Sequence, residues 1–116
     1  MFKRVINLLC CFVLLSGAGL AQTATKNKTE NIKVYGNCDM CKAVIEGALK
    51  KKDGVISKRW DKNTKMLTVT YDPSKITIKQ IAEKVAAVGY DNEYATAPDS
   101  VYNKLHGCCH YERPKK

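Results

Sequence analysis

Cys38 and Cys41 stand three residues apart, and Cys108 and Cys109 stand side by side with His106 and His110 on either flank. Thiolates are soft donors, and such donors select Cu(I), Hg(II) or Zn(II) over Mg or Ca. The i, i+3 spacing brings both sulfurs of the first pair to one side of a loop. Neither pair closes a loop long enough to restrict the unfolded chain much, and that restriction is the usual account of what a structural disulfide contributes. The spacing suits gripping one ion or cycling one bond. A structural zinc site takes four ligands, so a two-sulfur site is open. An open site suits transfer, because an incoming thiolate can join the ion before the first ligands leave.

The flanking sequence specifies what positions the first pair. Residues 32–35 alternate as a short strand, and Gly36-Asn37 break it just before Cys38. A helix pattern follows, with Met40, Val44, Ile45, Ala48 and Leu49 on one face. Asp53-Gly54 stops it. The cysteines therefore fall at a helix N-terminus, where unpaired N–H groups and the helix dipole favour thiolate. Residues 55–61 read as a second strand whose one large apolar residue, Trp60, is a core aromatic, and residues 62–65 as a hairpin loop. Residues 66–71 form a third strand with Leu67, Val69 and Tyr71 on one side. Thr77 and Gln80 have capping-box spacing, ahead of an apolar face of Ile78, Ile81, Ala82, Val85 and Val88. Gly89 is placed to close that helix, and residues 90–95 read as a short final strand. The order βαββαβ predicts an α+β, ferredoxin-like sandwich: an antiparallel sheet with two helices on one face.

The chain of 116 residues holds one small domain. Lys3 and Arg4, an apolar run over residues 5–15 and small residues ending in Gly19-Leu20-Ala21 read as a secretory signal cut after Ala21. The apolar run is short of the ~20 residues that span a bilayer, so removal is preferred to a membrane anchor. Cys10 and Cys11 belong to that run, and four cysteines remain after it. Export implies an oxidising, periplasmic setting. Losing Lys3 and Arg4 takes the formal charge from +9 to +7, with the lysines spread along the chain. That reads as a soluble charged surface on a monomer, not as a nucleic-acid site. The expected organisation is a signal at 1–21, a flexible polar leader at 22–31, a metal-binding domain at 32–96 and a tail at 97–116.

Residues 32–95 resemble the heavy-metal-associated domain of copper chaperones, copper-transporting ATPases and the periplasmic mercury-binding protein. The resemblance rests on Gly36 with Cys38-x-x-Cys41, on Gly54-Val55, on the VTYDPSKIT run of residues 69–77, and on Val88-Gly89-Tyr90-Asp91. It implies the ferredoxin-like fold, metal transfer through Cys38 and Cys41, and a place for Tyr90 near the metal loop. Two features depart from the family pattern G-M-x-C-x-x-C. The loop is one residue shorter and lacks the methionine before the first cysteine; Met40 lies between the cysteines and reads as a core residue with a supporting place beside the site. The second departure is the tail.

In the tail, residues 98–105 could form one more short helix ended by Gly107. Three readings of Cys108-Cys109-His110 stand side by side: a second metal site with His106, a fold-back that adds ligands to Cys38 and Cys41, or a redox pair serving the first. The last strand ends opposite the metal loop, so a fold-back recrosses roughly 17–20 Å, which residues 96–107 can span. The expected function is an exported, non-enzymatic carrier of a soft ion. Cu(I) comes first, with Hg(II) or Zn(II) as alternatives, and the ion passes to a metal-transporting membrane protein or another metal-binding domain. The competing reading is a thiol-disulfide redox protein using the same cysteines.

Overall fold

A computed structural model describes residues 26–115; the signal assigned to residues 1–21 lies outside them. Three six-residue strands carry the sheet: β1 (Lys28–Lys33), β2 (Val55–Trp60) and β3 (Met66–Tyr71). Their order is β1-β3-β2, and both pairings are antiparallel. Period-two alternation in β3 turns Leu67, Val69 and Tyr71 inward. Helix α1 (Asp39–Gly47) follows β1, and helix α2 (Ile78–Ala87) follows β3. From α1, Cys41 and Ile45 enter the core, joined just past its end by Leu49; α2 contributes Ile81, Ala82 and Val85. They pack with Ile32, Val34, Val55, Trp60, Leu67 and Val69. Among the described residues no helix is long and apolar enough to cross a membrane.

Local chemistry sets the boundaries. Thr77 and Gln80 form a complete capping box: the Thr77 hydroxyl accepts from Gln80 N, and the Gln80 side chain accepts from Thr77 N. Gly89 leaves α2 at φ 110°, a left-handed conformation suited to glycine. Gly36 answers a different demand. A β-carbon there would lie 2.9 Å from two ring atoms of Trp60 and 3.3 Å from the Cys41 β-carbon. The indole fills the space under the loop and donates from Nε1 to the Val34 carbonyl at 3.0 Å.

Three expectations change. Residues 28–31, read as part of a flexible leader, are in β1. They are held by polar pairs that hydrophobic periodicity does not register: Thr29 with Thr70 at 2.9 Å, Asn31 with Thr68 at 2.7 Å, and the Tyr71 hydroxyl donating to Glu30. The final strand contracts to one antiparallel bridge, Val34 to Asn92, beside the end of β1. Asn92 ends it: its Oδ1 accepts from Tyr94 N and Ala95 N, which turns the chain away. Finally, the buried stripe of α1 is centred on Cys41, Ile45 and Leu49, so Met40 (45% exposed) and Val44 (37% exposed) leave the core. The thiol at Cys41 counts as apolar here, and that rotates the buried face.

Gly36→Ala is expected to destabilise the fold by about 1–3 kcal/mol, because the added methyl must displace the indole. Gly47→Ala meets nothing within 4 Å, and is expected to stabilise by about 0.4–1 kcal/mol. Urea denaturation of the two variants beside the unaltered chain measures both.

Candidate metal centre

Cys38 occupies the N-cap of α1 in an extended conformation, at φ −151° and ψ 174°. No side chain caps this helix as Thr77 caps α2. The N–H groups opening α1 are therefore left for a thiolate. One turn on, Cys41 is fully buried, with its sulfur 3.2 Å from that of Cys38. Asn37 orients it. The Cys41 thiol donates to Asn37 Oδ1 at 3.2 Å, and the Asn37 backbone N–H donates to the Cys41 sulfur at 3.5 Å. The single residue between Gly36 and Cys38 thus takes up contacts within its own short loop. Further along α1, Lys42 bonds Glu46 at 2.6 Å and the Trp60 carbonyl at 2.9 Å, while Glu46 accepts from Trp60 N at 3.0 Å. The helix is thereby fixed to the end of β2.

The tail returns to this loop. After a short helix α3 (Asp99–Tyr102) and a 3₁₀ turn (Gly107–Cys109), it places two further sulfurs against Cys38. Cys109 lies 3.6 Å away and Cys108 3.9 Å. The sulfurs of Cys38, Cys108 and Cys109 all fall within 4.8 Å of one another. Cys108 also donates to the thioether of Met40 at 3.4 Å. Met40 therefore stands at the rim of the cluster instead of in the core. The histidines stay outside: His110 is exposed and packs against Tyr102 with ring centroids 5.2 Å apart, tilted by 34°, and His106 is exposed, with its carbonyl accepting from Cys109 N.

Residues outside the sulfur cluster hold the tail in place. Asp91 is 2% exposed. Its carboxylate accepts from Arg113 Nε at 2.7 Å and Nη2 at 2.9 Å, and from Ala97 N at 2.7 Å. Burial opposes its ionisation, but the Arg113 guanidinium and the Ala97 N–H outweigh that and hold its pKa below the ordinary carboxylate range. Arg113 also reaches Asp99 at 2.6 Å and lies over the Tyr102 ring at 4.7 Å. The Tyr111 hydroxyl donates to the Gly89 carbonyl and accepts from Asp91 N, both at 2.8 Å. Its ring stacks on Tyr90 at 5.6 Å. Sequence reading missed this group, and an Asp followed at a distance by Tyr and Arg in an otherwise polar tail is a faint signal. Asn37 was missed as well, though Asn within a two-residue loop was its clue.

Cys38 and Cys109 differ in acidity. Burial opposes ionisation of Cys38, yet hydrogen bonds from the Cys41 thiol and backbone N–H and from Cys109 and Cys108 prevail and lower its pKa to about 7. At Cys109 burial wins; its pKa is pushed up to about 12, with Cys38, Cys41 and Cys108 adding to the rise and the Tyr90 hydroxyl opposing it. Tyr90 lies beside the metal loop and is fully buried, and its hydroxyl meets no hydrogen-bond partner of good geometry. Burial and the facing thiols of Cys41 and Cys109 push its pKa above the ordinary range. Soft donors converging on one point, with one reactive thiolate and an unpartnered buried hydroxyl beside them, suit a thiophilic cation.

Known proteins place the chain. Residues 37–91 match the heavy-metal-associated domain. The zinc-transporting ATPase of Synechocystis is 42% identical over 64 residues, which are 54% of this chain and only 9% of the ATPase. The mercuric transport protein periplasmic component of Shewanella putrefaciens is 36% identical over 75% of this chain and 92% of its own length. Among solved structures, a CopZ metallochaperone superposes with a TM-score of 0.53 at 33% identity, over 56% of this chain and 98% of the other. The shared core runs through the cysteine loop, both helices and Tyr90, and on that ground the chain belongs to the heavy-metal-associated domain family.

Proposed function

We propose that the chain binds one soft metal ion through Cys38 and Cys41 and passes it on without catalysing a reaction. Cu(I) is the favoured cargo, and Hg(II) or Zn(II) are the alternatives. The carrying observation is a thiol of pKa about 7 at the cap of α1, with a second sulfur 3.2 Å away. Only the thiolate binds metal, and Cys38 is half ionised near neutral pH. The ion's positive charge supplies what a partner thiol needs to release its proton. Half-buried at the cap of α1, Cys38 can be reached by a receiving thiolate before it lets go, so transfer proceeds by ligand exchange.

A fitting recipient carries its own exposed thiolate pair: a metal-binding domain of a metal-transporting membrane protein, or another small metal-binding domain. The similarity to a periplasmic mercuric transport component and to an ATPase that transports zinc supports this class of partner. Residues 1–21 fit an export signal, and the working compartment is then the periplasm. The same close thiol pair, with its acidic Cys38, would also suit a thiol-disulfide redox protein, and one set of measurements separates the two.

Titration of the reduced chain with Cu(I), Hg(II) and Zn(II) against a competing chelator is expected to show one tightly held ion. Cys38→Ser is expected to weaken retention by more than about 100-fold, since losing even an outer-shell partner costs 10–100-fold. Weak binding of all three ions together with disulfide reductase activity would instead favour the redox reading. Acidity gives a second check. The Cys38 pKa is lowered, so its thiolate is present above about pH 7 and lost below it. Alkylation of the metal-free chain by iodoacetamide is expected to rise through that pH at Cys38, while Cys109, with a pKa of about 12, stays unreactive at neutral pH. Mass spectrometry of the alkylated peptides reads both.

A further inference from the structure

We propose that in its holding state the ion sits in a three-sulfur site made by Cys38, Cys108 and Cys109, with the tail latched over the loop as a built-in ligand donor. This rests on the soft-metal reading above and adds the coordination number and the means of release.

The spacing of the sulfurs carries it. Three sulfurs each about 2.3 Å from a central ion stand about 4.0 Å apart. The edges of this triangle are 3.6 Å (Cys38 to Cys109), 3.9 Å (Cys38 to Cys108) and 3.9 Å (Cys108 to Cys109). The triangle therefore accepts an ion with shifts of a few tenths of an ångström. The pair Cys38 and Cys41 lies further from an ion-bound geometry: two sulfurs in line through one ion stand about 4.6 Å apart, so these must open from 3.2 Å once the tail has lifted. Cys41 is meanwhile engaged with Asn37. It stands ready to replace the tail sulfurs, not to share the ion with them. A second observation points the same way. The Tyr90 hydroxyl is fully buried against the sulfurs of Cys41 and Cys109 and makes no well-formed hydrogen bond to them. Thiols make poor partners for it, whereas a metal-bound thiolate accepts strongly from a hydroxyl.

Binding exchanges the protons of Cys108, of Cys109, and of Cys38 where it carries one, for the cation. No electrons move. Release then requires the tail to lift. What holds it down lies away from the sulfurs: Arg113 on Asp91, Tyr111 between Gly89 and Asp91, and the Tyr102 hydroxyl donating to the Tyr111 carbonyl at 2.6 Å. Arg113 is a positioning residue. Loss of the tail sulfurs leaves the ion on Cys38 with Cys41 alongside, the two-sulfur state from which a partner can take it.

X-ray absorption of the Cu(I)-loaded full chain counts the sulfur neighbours directly, without depending on how any variant folds. Three sulfurs are expected in the unaltered chain, three in Cys41→Ser and two in the Cys108→Ser/Cys109→Ser double variant. Arg113→Met is expected to lose Cu(I) to a competing chelator about 10- to 100-fold more readily, as supporting residues around metal ligands do, with circular dichroism confirming its fold. Two sulfurs in the unaltered chain, or a count that falls with Cys41→Ser and not with the double variant, would overturn the three-sulfur site and leave soft-metal binding by Cys38 and Cys41 standing. Failure of the unaltered chain to retain Cu(I) at all would overturn both.

Discussion

A carboxylate buried at Asp91 has to find a cation. Left alone in the interior, an ionised group of this kind is costly, and pairing with geometry good enough to satisfy its oxygens is the remedy. The partner is Arg113, 22 residues further along. Because both nitrogens of the guanidinium fork and the Ala97 N–H converge on one carboxylate, the position of the tail is fixed relative to the core. Tyr111 adds a second tie through Gly89, the residue that ends α2. Everything between Ala97 and Arg113 then closes into an arch whose crown is Cys108-Cys109. The ion pair touches no sulfur, yet it decides where two of the four sulfurs lie.

The loop on the other side is fixed from beneath by Trp60. Its ring occupies the volume that any side chain at Gly36 would need, and its Nε1 ties back to Val34. Cys38 is left at the mouth of α1 with free N–H groups behind it, and Cys41 one turn inside. Burial grades the thiols from exposed Cys108, through half-buried Cys38, to buried Cys41 and Cys109. Ionisation follows local hydrogen bonding as well as depth. Half-buried Cys38, surrounded by donors, is the acidic one, and buried Cys109 is the reluctant one. A cation placed among them removes the reluctance, since thiolate formation and binding are one step.

Much of this was legible in the sequence because local signals and tertiary demands agree. The Thr77 and Gln80 box, the turn at Gly89, β3 at residues 66–71 and the place of Trp60 in the core all follow from spacing and residue type. The CxxC at a helix N-terminus was equally plain. What eluded reading were features set by contacts distant in sequence. The early start of β1 depends on hydroxyls and a carboxylate meeting across strands, which no hydrophobic period records. Met40 was expected inside; burial of the Cys41 thiol in the core turned it out to the rim, beside Cys108. The tail offered cysteines and histidines in equal prominence. Only the Asp91 and Arg113 pair, invisible to any local pattern, shows which of them come to the loop.

The central claim is that one ion joins the opening of α1 to the tail. The backbone amide spectrum of the reduced, isotopically labelled chain, recorded by nuclear magnetic resonance as Cu(I) is added, tests it most directly. The account predicts that amides of residues 37–42 and 107–111 shift together and that both sets stop changing at one equivalent of Cu(I) per chain. Shifts confined to residues 37–42, or none in either set, would contradict it.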